Sequence, residues 1–335
     1  MKNLILQPEY DFLRTHERLG DNIVLLTLGG SHAYGTNVEG SDVDIRGCAL
    51  NSKRDLLGFS NFEQVIDNST DTVIYSFNKL INLILGCNPN CIELLGNKPE
   101  HYLLLTDIGQ ALLDNRKLFL SKRAVATFGG YATQQLRRLE NALARDSYPQ
   151  AEKEKHILQS CERTMMSFRD RYASFPEGSI KLSLGDSSKN DFECEIFADM
   201  NLSHYPVRDF NSIMAELNNV IRDYDKLNGR NKKKDEKHLN KHAMHFIRLY
   251  LMCLDILENE EIVTYREKER DFLLSIRNGA FMKEDGTFRS EFFDMVSEYE
   301  KRMKYAAENT SLPAHPNMNR VEEFVMSVNE KICKN

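Results

Sequence analysis

Residues 22–50 read NIVLLTLGGSHAYGTNVEGSDVDIRGCAL and place a glycine-rich loop between two apolar runs. The first run, 22–28, is continuous and of strand length, and the second, 43–50, predicts another strand. The loop is not a lysine-bearing phosphate loop, because Thr36 stands where that loop needs a lysine. It does not match a dinucleotide-binding fingerprint either, since no G-x-G-x-x-G opens a helix. The distinctive feature is therefore the order strand, Gly-Ser, turn, Asp-x-Asp, strand.

The two aspartates, Asp42 and Asp44, lie one residue apart where the second strand is expected to begin. Side chains alternate between the faces of a strand, so these two carboxylates should project together while Val43 and Ile45 point into a core. Two carboxylates directed at one point repel each other unless a cation lies between them, and Mg²⁺ with oxygen ligands supplies that cation. The spacing therefore predicts a divalent-metal site.

The glycine side of the loop supplies the complementary chemistry. Gly30 allows the backbone to approach a phosphate closely, and Ser31 offers a hydroxyl and an N–H group to it. Each dipeptide alone is commonly an ordinary turn or strand end. Their combination between two strands favours metal-dependent phosphoryl or nucleotidyl transfer.

The Gly-Ser pair followed by Asp-x-Asp resembles the signature of the DNA polymerase β-type nucleotidyltransferase superfamily. The longer string GGSHAYGTNVEGSDVDIRG (29–47), with DTVIYSFNKLINLILGCNPNCIELL (71–95), resembles one branch of it. That branch comprises the predicted nucleotidyltransferases called RlaP or YcgL-like, found in bacteria and large phages. KHAMHFIRLYLMCLDIL (241–257) is similar to the helical C-terminal region of the same branch.

The resemblance implies a nucleotidyltransferase fold that uses Mg²⁺, with Mn²⁺ as a substitute, and a nucleoside triphosphate. It implies that Asp42 and Asp44 hold the metal and that Gly30 and Ser31 grip the β and γ phosphates. The association of the branch with RNA repair implies an RNA end as the acceptor, with tRNA among the candidates.

The superfamily also uses a third carboxylate on a neighbouring strand. Asp71, which opens the strand-like run DTVIYSF (71–77), is the candidate, and Asp67 is the rival. A turn residue after NST is the ordinary interpretation of Asp71. As the third carboxylate, it would complete the metal site and accept the proton of the attacking hydroxyl, or orient that hydroxyl.

Several further side chains are candidates for contact with the nucleotide. Lys79, at the start of a predicted helix, can neutralise the triphosphate or simply face solvent. Arg46 shares the face of Asp44 and can pair with a carboxylate or touch phosphate. Tyr34 and His32 can stack on a nucleotide or hydrogen-bond to it. From the resemblance alone, three residues are expected on the sugar or acceptor side: Asn88, Asn90 and Glu93.

Two features of the second half allow both a functional and an ordinary interpretation. His238, His242 and His245 form one helical stripe, but the glutamate of H-E-x-x-H is absent, so packing is favoured over zinc binding. The run 226–242 is the most basic stretch and can hold an RNA backbone, although a solvated loop and helix start is the favoured interpretation.

Hydrophobic periodicity predicts a mixed N-terminal domain and a mostly helical C-terminal part. The resemblance implies that the N-terminal domain is a nucleotidyltransferase fold, a mixed sheet with flanking helices, so we expect an α+β protein. The expected strands are 22–28, 43–50, 62–67 and 71–77, with a hairpin of 180–185 and 192–197. The expected helices are 7–20, 121–145, 150–173, 206–227, 237–259, 266–277, 290–308 and 318–333. The stretch 78–96 is expected to be helical up to an interruption at Pro89, with a second helical turn that carries Glu93. We expect a catalytic domain at 1–120 and an acceptor-binding region at 121–335.

Composition limits the class of protein. The chain has 335 residues and a net charge of −6, which argues against a surface that coats nucleic acid but allows a local basic groove. No stretch reaches the roughly 20 apolar residues of a membrane span. The seven cysteines lack paired metal spacing and suit a reducing compartment, so no disulfide-linked partner is expected. We therefore expect a cytoplasmic protein, bacterial or, if phage-encoded, in the host.

These inferences converge on transfer of a nucleoside monophosphate from a triphosphate to a hydroxyl, with release of pyrophosphate. Two other classes stay open: a transferase that places AMP on a protein hydroxyl, and a catalytically silent nucleotide-binding or partner-binding module. An intact Asp-x-Asp motif argues against the silent module. The sequence leaves the base, the acceptor and the oligomeric state undetermined.

Overall fold

The computed structural model describes residues 3–132, 136, 139, 150–172, 175–187, 194–229, 236–284 and 286–334. Contacts divide the chain into two compact units. The first comprises Met1–Gln134, Ala243–Phe281 and Ser290–Asn335, and the second Gln135–His242 and Met282–Arg289. The expected division into a catalytic domain at 1–120 and an acceptor-binding region at 121–335 stays a prediction. By packing, the C-terminal helices belong to the same unit as the N-terminal sheet.

A mixed five-stranded sheet forms the centre of the first unit. Its strands are β1 (Ile23–Leu28), β2 (Ile45–Ala49), β3 (Gln64–Asp67), β4 (Thr72–Ser76) and β5 (Tyr102–Leu105). The order is β3-β4-β2-β1-β5; β2 and β4 are parallel and the other pairs are antiparallel. Four of these strands were predicted, and the sheet confirms the α+β class.

Both faces of this sheet are covered, which is why β1 reads as a continuous apolar run. Ile45 and Ile74 face one core, against Tyr10 and Leu13 of the N-terminal segment. On the opposite face, Leu25 and Cys48 belong to a second core, which is formed with helices from both halves of the chain. These helices contribute Phe77, Ile84, Leu112, Leu249, Met252, Val321 and Val328.

The helices, in chain order, are α1 (Phe12–Thr15), α2 (Gly30–Tyr34), α3 (Lys53–Leu57), α4 (Phe77–Leu85), α5 (Pro89–Ile92), α6 (Asp107–Asp114), α7 (Gln150–Met166), α8 (Phe168–Arg171), α9 (Val207–Gly229), α10 (Glu236–Leu254), α11 (Arg270–Arg277), α12 (Ser290–Asn309) and α13 (Met318–Lys334). Short 3₁₀ turns lie at Leu4–Leu6, Pro8–Tyr10, Gly20–Asn22, Glu93–Gly96, Pro99–His101 and Arg116–Phe119, and a π-helical turn, Asp255–Asn259, follows α10. Residues 123–132 are also helical. The predicted helix 121–145 is described only in part.

The continuous helix predicted over 7–20 is wrong. The segment contains a 3₁₀ turn that starts at Pro8, then the four-residue α1, which ends because His16 adopts an extended conformation. Gly20 has a positive φ of 61° and turns the chain toward β1. Apolar residues recur at helical spacing here because Tyr10, Leu13 and Leu19 are all buried.

The second unit contains the predicted hairpin. Strands β6 (Ile180–Asp186) and β7 (Cys194–Met200) are antiparallel, with Ile180 opposite Met200 and Asp186 opposite Cys194. Of the polar turn predicted at 186–190, residues 188–190 lie outside the described residues. Ile180 packs with residues of α7, α8 and α9 in a separate small core.

Candidate functional site

The Gly-Ser pair begins a short helix beside the entrance of β2. β1 ends at Leu28, and the N–H of Gly29 donates to the carbonyl of Asp44 at 2.8 Å. Gly30 then takes a positive φ of 53° and starts α2, which was predicted as a plain turn. Ser31 is half-buried, and its hydroxyl makes no hydrogen bond within the described ranges.

Gly30 lies directly beneath the carboxylate of Asp44. A Cβ atom at position 30 would lie 1.9 Å from Oδ2 of Asp44 and 2.8 Å from its Cγ. Any other residue at this position would therefore displace the carboxylate, besides requiring a backbone conformation that L side chains rarely adopt. The sequence assigned this space to a phosphate, whereas in the structure the carboxylate of Asp44 occupies it.

The strand pairing brings Asp44 and Asp71 side by side. β2 and β4 are parallel, with Ile45 opposite Thr72, and the N–H of Ile45 donates to the carbonyl of Asp71 at 3.3 Å. Burial raises the pKa of Asp44; Arg46 counteracts this, and the charges of Asp71 and Asp42 raise the pKa further. The three carboxylates therefore act on one another electrostatically.

The strand alternation invoked for Asp42 and Asp44 does not apply to them, and their joint projection stays a prediction. β2 begins at Ile45, so Asp42 and Asp44 precede the strand rather than belong to it. Val43 and Ile45 nevertheless pack into the predicted core. Asp42 is exposed and Asp44 is half-buried.

Asp71 has the better geometry for the third carboxylate. It is exposed at the start of β4, with a positive φ of 47°, and its carboxylate makes no hydrogen bond in the described part of the chain. The carboxylate of Asp67, in contrast, closes the β3–β4 turn, accepting from the Ser69 hydroxyl at 2.5 Å and from the Thr70 N–H and hydroxyl at 2.9 Å. These bonds lower the pKa of Asp67 and engage it locally.

Arg46 connects the two strand ends. Its Nη2 donates to Oδ1 of Asp44 at 3.1 Å, and its Nη1 donates to the carbonyls of Ile45, at 2.9 Å, and Asp71. Of the two roles left open by the sequence, pairing with a carboxylate is the one observed. The guanidinium is the positive charge that the described structure supplies to Asp44.

The donor chemistry of these carboxylates fits Mg²⁺, which prefers oxygen ligands and retains several waters. No group of three His, Cys, Asp or Glu side chains among the described residues is already arranged around a common point. The charges of Asp42 and Asp71 thus act on the Asp44 carboxylate, but the three carboxylates do not surround a common point. Such an open set suits an ion that takes one or two carboxylates and completes its shell with substrate phosphates.

Two predicted nucleotide contacts already have protein partners. Tyr34 is only 2% exposed, and the Cζ atom of Arg248 lies 3.4 Å from the centroid of its ring. Nζ of Lys79 lies 2.7 Å from the Glu63 carboxylate. His32, beside Ser31, places Nε2 3.3 Å from the carbonyl of Ser41.

A buried ionic cluster lies behind α2, and the sequence did not reveal it. Arg248 contacts Tyr34 on one side, and its Nη1 lies 3.6 Å from the carboxylate of Glu93. Burial, aided by the charge of Arg266, lowers the pKa of Arg248 to about 9, and burial raises the pKa of Glu93. Arg266 in turn pairs with Asp255 at 2.6 Å.

Three residues of this cluster come from the three family-like strings. Tyr34 comes from 29–47, Glu93 from 71–95 and Arg248 from 241–257. Glu93 was expected on the acceptor side but is buried. The side-chain oxygen of Asn88 caps α5 by accepting a hydrogen bond from the N–H of Asn90. Asn90 itself is exposed.

Comparison with known families agrees with this geometry. The model of RlaP, the RNA repair pathway DNA polymerase beta family, matches residues 7–159. Residues 7–159, the RlaP region, are therefore similar to this family. The resemblance drawn from the sequence is confirmed, and the region falls within a superfamily of nucleotidyltransferases. No curated protein and no solved structure matches the chain.

The RlaP region contains all five strands of the sheet and the three carboxylates, whereas Arg248 and its helix lie beyond it. The histidine stripe, also beyond it, lies on α10, but the side chain of His238 is outside the described residues. Of the basic run, 230–235 is likewise outside them, so RNA contact there stays a prediction. Within the described ranges no helix is long and apolar enough to cross a bilayer.

Proposed function

We propose that this chain transfers a nucleoside monophosphate from a nucleoside triphosphate to a hydroxyl, releasing pyrophosphate. The observation that carries the proposal is the fit of the Asp44 carboxylate over Gly30, next to Asp71. Gly30 leaves room for the Asp44 carboxylate, and the hydroxyl of the adjacent Ser31 has no hydrogen-bond partner among the described residues. This combination is expected of a site that binds a metal and a phosphate together.

Asp42, Asp44 and Asp71 are the residues that would hold Mg²⁺ or Mn²⁺. When bound, the metal supplies positive charge to the triphosphate and to the attacking oxygen. Burial raises the pKa of Asp44, and the charges of Asp71 and Asp42 raise it further, so a shared cation would be favourable. Asp71 is also the proposed residue to accept or orient the proton of the acceptor hydroxyl. Its exposure supports this, as does the lack of a hydrogen bond to its carboxylate from any described residue.

Ser31 and Arg46 are the proposed phosphate contacts. The hydroxyl of Ser31 is available as a donor, and the first N–H groups of α2 have no partners within the helix. Arg46 is held by Asp44, and neutralisation of that carboxylate would free the guanidinium for bidentate contact with phosphate. Lys79 and Tyr34 are weaker candidates, because Glu63 and Arg248 already engage them.

An RNA end is the proposed acceptor, and the support for it is the RNA-repair description of the matched family. A protein hydroxyl is the alternative, and the same chemistry would serve it. The acceptor therefore has to be decided by the product.

The test is incubation of the purified protein with each α-³²P-labelled nucleoside triphosphate, Mg²⁺ or Mn²⁺, and either total RNA or lysate protein. Label on RNA supports the proposal, and label on protein selects the alternative. The variants Asp42→Asn, Asp44→Asn and Asp71→Asn should each abolish labelling. Asp67→Asn is the matched control, since Asp67 is the neighbouring carboxylate engaged in a turn. Absence of label with every nucleotide, or equal activity of the three variants and wild type, would refute it.

A further inference from the structure

The C-terminal end of α2 is held by a segment more than two hundred residues away in the sequence. Residues 265–277 contact Tyr34, Gly35 and Thr36, at the end of the helix that contains Ser31. We call residues 29–36 the Gly-Ser segment. Both partners lie in the first compact unit.

The packing at Gly35 is tight. Gly35 ends α2 in the left-handed conformation, with φ 74°, and a Cβ atom there would lie 2.6 Å from Cε2 of Tyr265. The ring of Tyr265 is itself fixed, since Nζ of Lys98 lies 3.7 Å from its centroid. The Gly-Ser segment therefore has little room to shift toward Tyr265.

Three donors satisfy the carbonyls at this helix end. The N–H of Arg266 donates to the carbonyl of Tyr34 at 3.1 Å. Nε of Arg270 donates to the carbonyl of Gly35 at 2.8 Å, and Nη1 of Arg277 donates to that of Thr36 at 2.7 Å. Carbonyls at a helix end have no partners within the helix, and cationic side chains are favoured there.

Arg277 has no carboxylate partner in the described part of the chain, although its side chain is partly buried. Withdrawing a guanidinium from water without an anionic partner is unfavourable. Its direct hydrogen bond with the Gly-Ser segment is the contact that compensates for this.

We infer that Arg270 and Arg277 are positioning residues, which hold the Gly-Ser segment so that Gly30 and Ser31 stay against Asp44. α2 spans only five residues, roughly 7 Å, so a shift at its C-terminal end is transmitted directly to Ser31. The effect on nucleotide turnover rests on the proposed function, whereas the effect on the order of the segment does not.

Amide hydrogen exchange in the full chain tests the inference without nucleotide. The N–H groups of Ala33, Gly35 and Thr36 are bonded within the segment. Arg270→Ala and Arg277→Ala should each speed exchange in a peptide covering 28–37, by about tenfold, and the double variant by more. Lysine at either position retains the charge and should restore part of the protection.

The matched control is Arg116→Ala, which removes a comparable bond from Nη1 to the carbonyl of Leu113 at 2.9 Å, elsewhere in the same unit. It should leave exchange in 28–37 unchanged. Unchanged exchange in the double variant would overturn the inference. Acceleration spread evenly over the chain, with a matching fall in the melting temperature, would also overturn it.

Turnover provides the second readout. With Mn²⁺ and the accepted triphosphate, kcat/KM of the double variant should fall roughly 10- to 100-fold, as expected when a reacting group is displaced by about 1 Å. If wild type turns over no nucleotide, the proposed function fails, and the exchange measurement still decides the role of the two arginines. Faster exchange in 28–37 with unchanged kcat/KM would overturn positioning for catalysis.

Discussion

Two Arg–Asp pairs in the same unit behave in opposite ways. Asp55 is almost completely buried and accepts from Arg18, from the N–H and hydroxyl of Ser52, and from the hydroxyl of Ser60. Burial alone would raise its pKa, but these bonds lower the pKa to about 2. Asp44 has Arg46 as its partner, and its pKa is nevertheless raised.

The difference distinguishes a structural carboxylate from one suited to binding. Asp55 has every lone pair engaged and belongs to the capping box of α3, so it has nothing left to offer a ligand. Asp44 is incompletely compensated and faces the charges of Asp42 and Asp71. A site that must accept a cation needs this second arrangement.

The largest expected difference is in activity. Asp44→Asn should lower nucleotidyl transfer by about 100- to 1,000-fold or more, because it removes a charge that the reaction needs. Asp55→Asn should leave kcat unchanged in the folded protein. Labelled-nucleotide transfer at a temperature well below both melting points measures this, and equal losses in the two variants would remove the distinction.

The next largest effect is expected at Gly30, because the Asp44 carboxylate occupies the space that a side chain at position 30 would fill. Gly30→Ala should lower transfer roughly 100-fold, since its Cβ would collide with the Asp44 carboxylate. Gly40→Ala is the matched control, because Gly40 also has a positive φ, 78°, but no atom within 4 Å of the added Cβ. Both should lose about 1–2 kcal/mol of stability from the backbone conformation. Comparable activity in the two variants would contradict the role assigned to Gly30.

The structural pair should control stability in a pH-dependent way. The pKa of Asp55 in the folded protein is below its ordinary value of 3.8, so its ionised form stabilises the fold above about pH 4. This contribution is lost as the pH falls toward 2. Asp55→Asn should therefore cost about 2 kcal/mol at pH 7 and much less near pH 2.5. Denaturant unfolding at several pH values measures it, and a constant difference would be the contrary result.

The smallest expected effect concerns the arginines. Arg46→Gln removes a cation that competes for Asp44, so the affinity for Mn²⁺ without nucleotide should rise about threefold to tenfold, or roughly 1 kcal/mol. Arg18→Gln should not change metal affinity but should lower stability. Mn²⁺ titration followed by electron paramagnetic resonance measures the first effect; weaker binding by Arg46→Gln would show that the guanidinium does not compete.

The sequence predicted those parts of the fold and site that depend on local patterns. Strands β1, β2 and β4 follow from runs whose burial alternates or is complete. The Asp-x-Asp motif gave the candidate carboxylates, whose role stays a prediction. α2 was missed because five residues are too few for helical periodicity. The contact between the Asp44 carboxylate and Gly30 could not be predicted from the sequence, because it depends on the register in which β2 pairs with β1 and β4.

The contacts of Arg270 and Arg277 were unpredictable for a different reason. They join residues 235 and 241 positions apart, and no periodicity links such positions. The motif strings contained a trace of this organisation in Tyr34, Glu93 and Arg248, but sequence spacing does not reveal that three separate strings meet in one cluster.

The division of the first unit along the chain has a consequence for synthesis. Its sheet is translated first, but the residues that hold Tyr34, Gly35 and Thr36 follow the long segment Gln135–His242 of the second unit in the chain. Domains generally fold as units during translation. On a nascent chain, the Gly-Ser segment therefore lacks these contacts until residues 265–277 have been made.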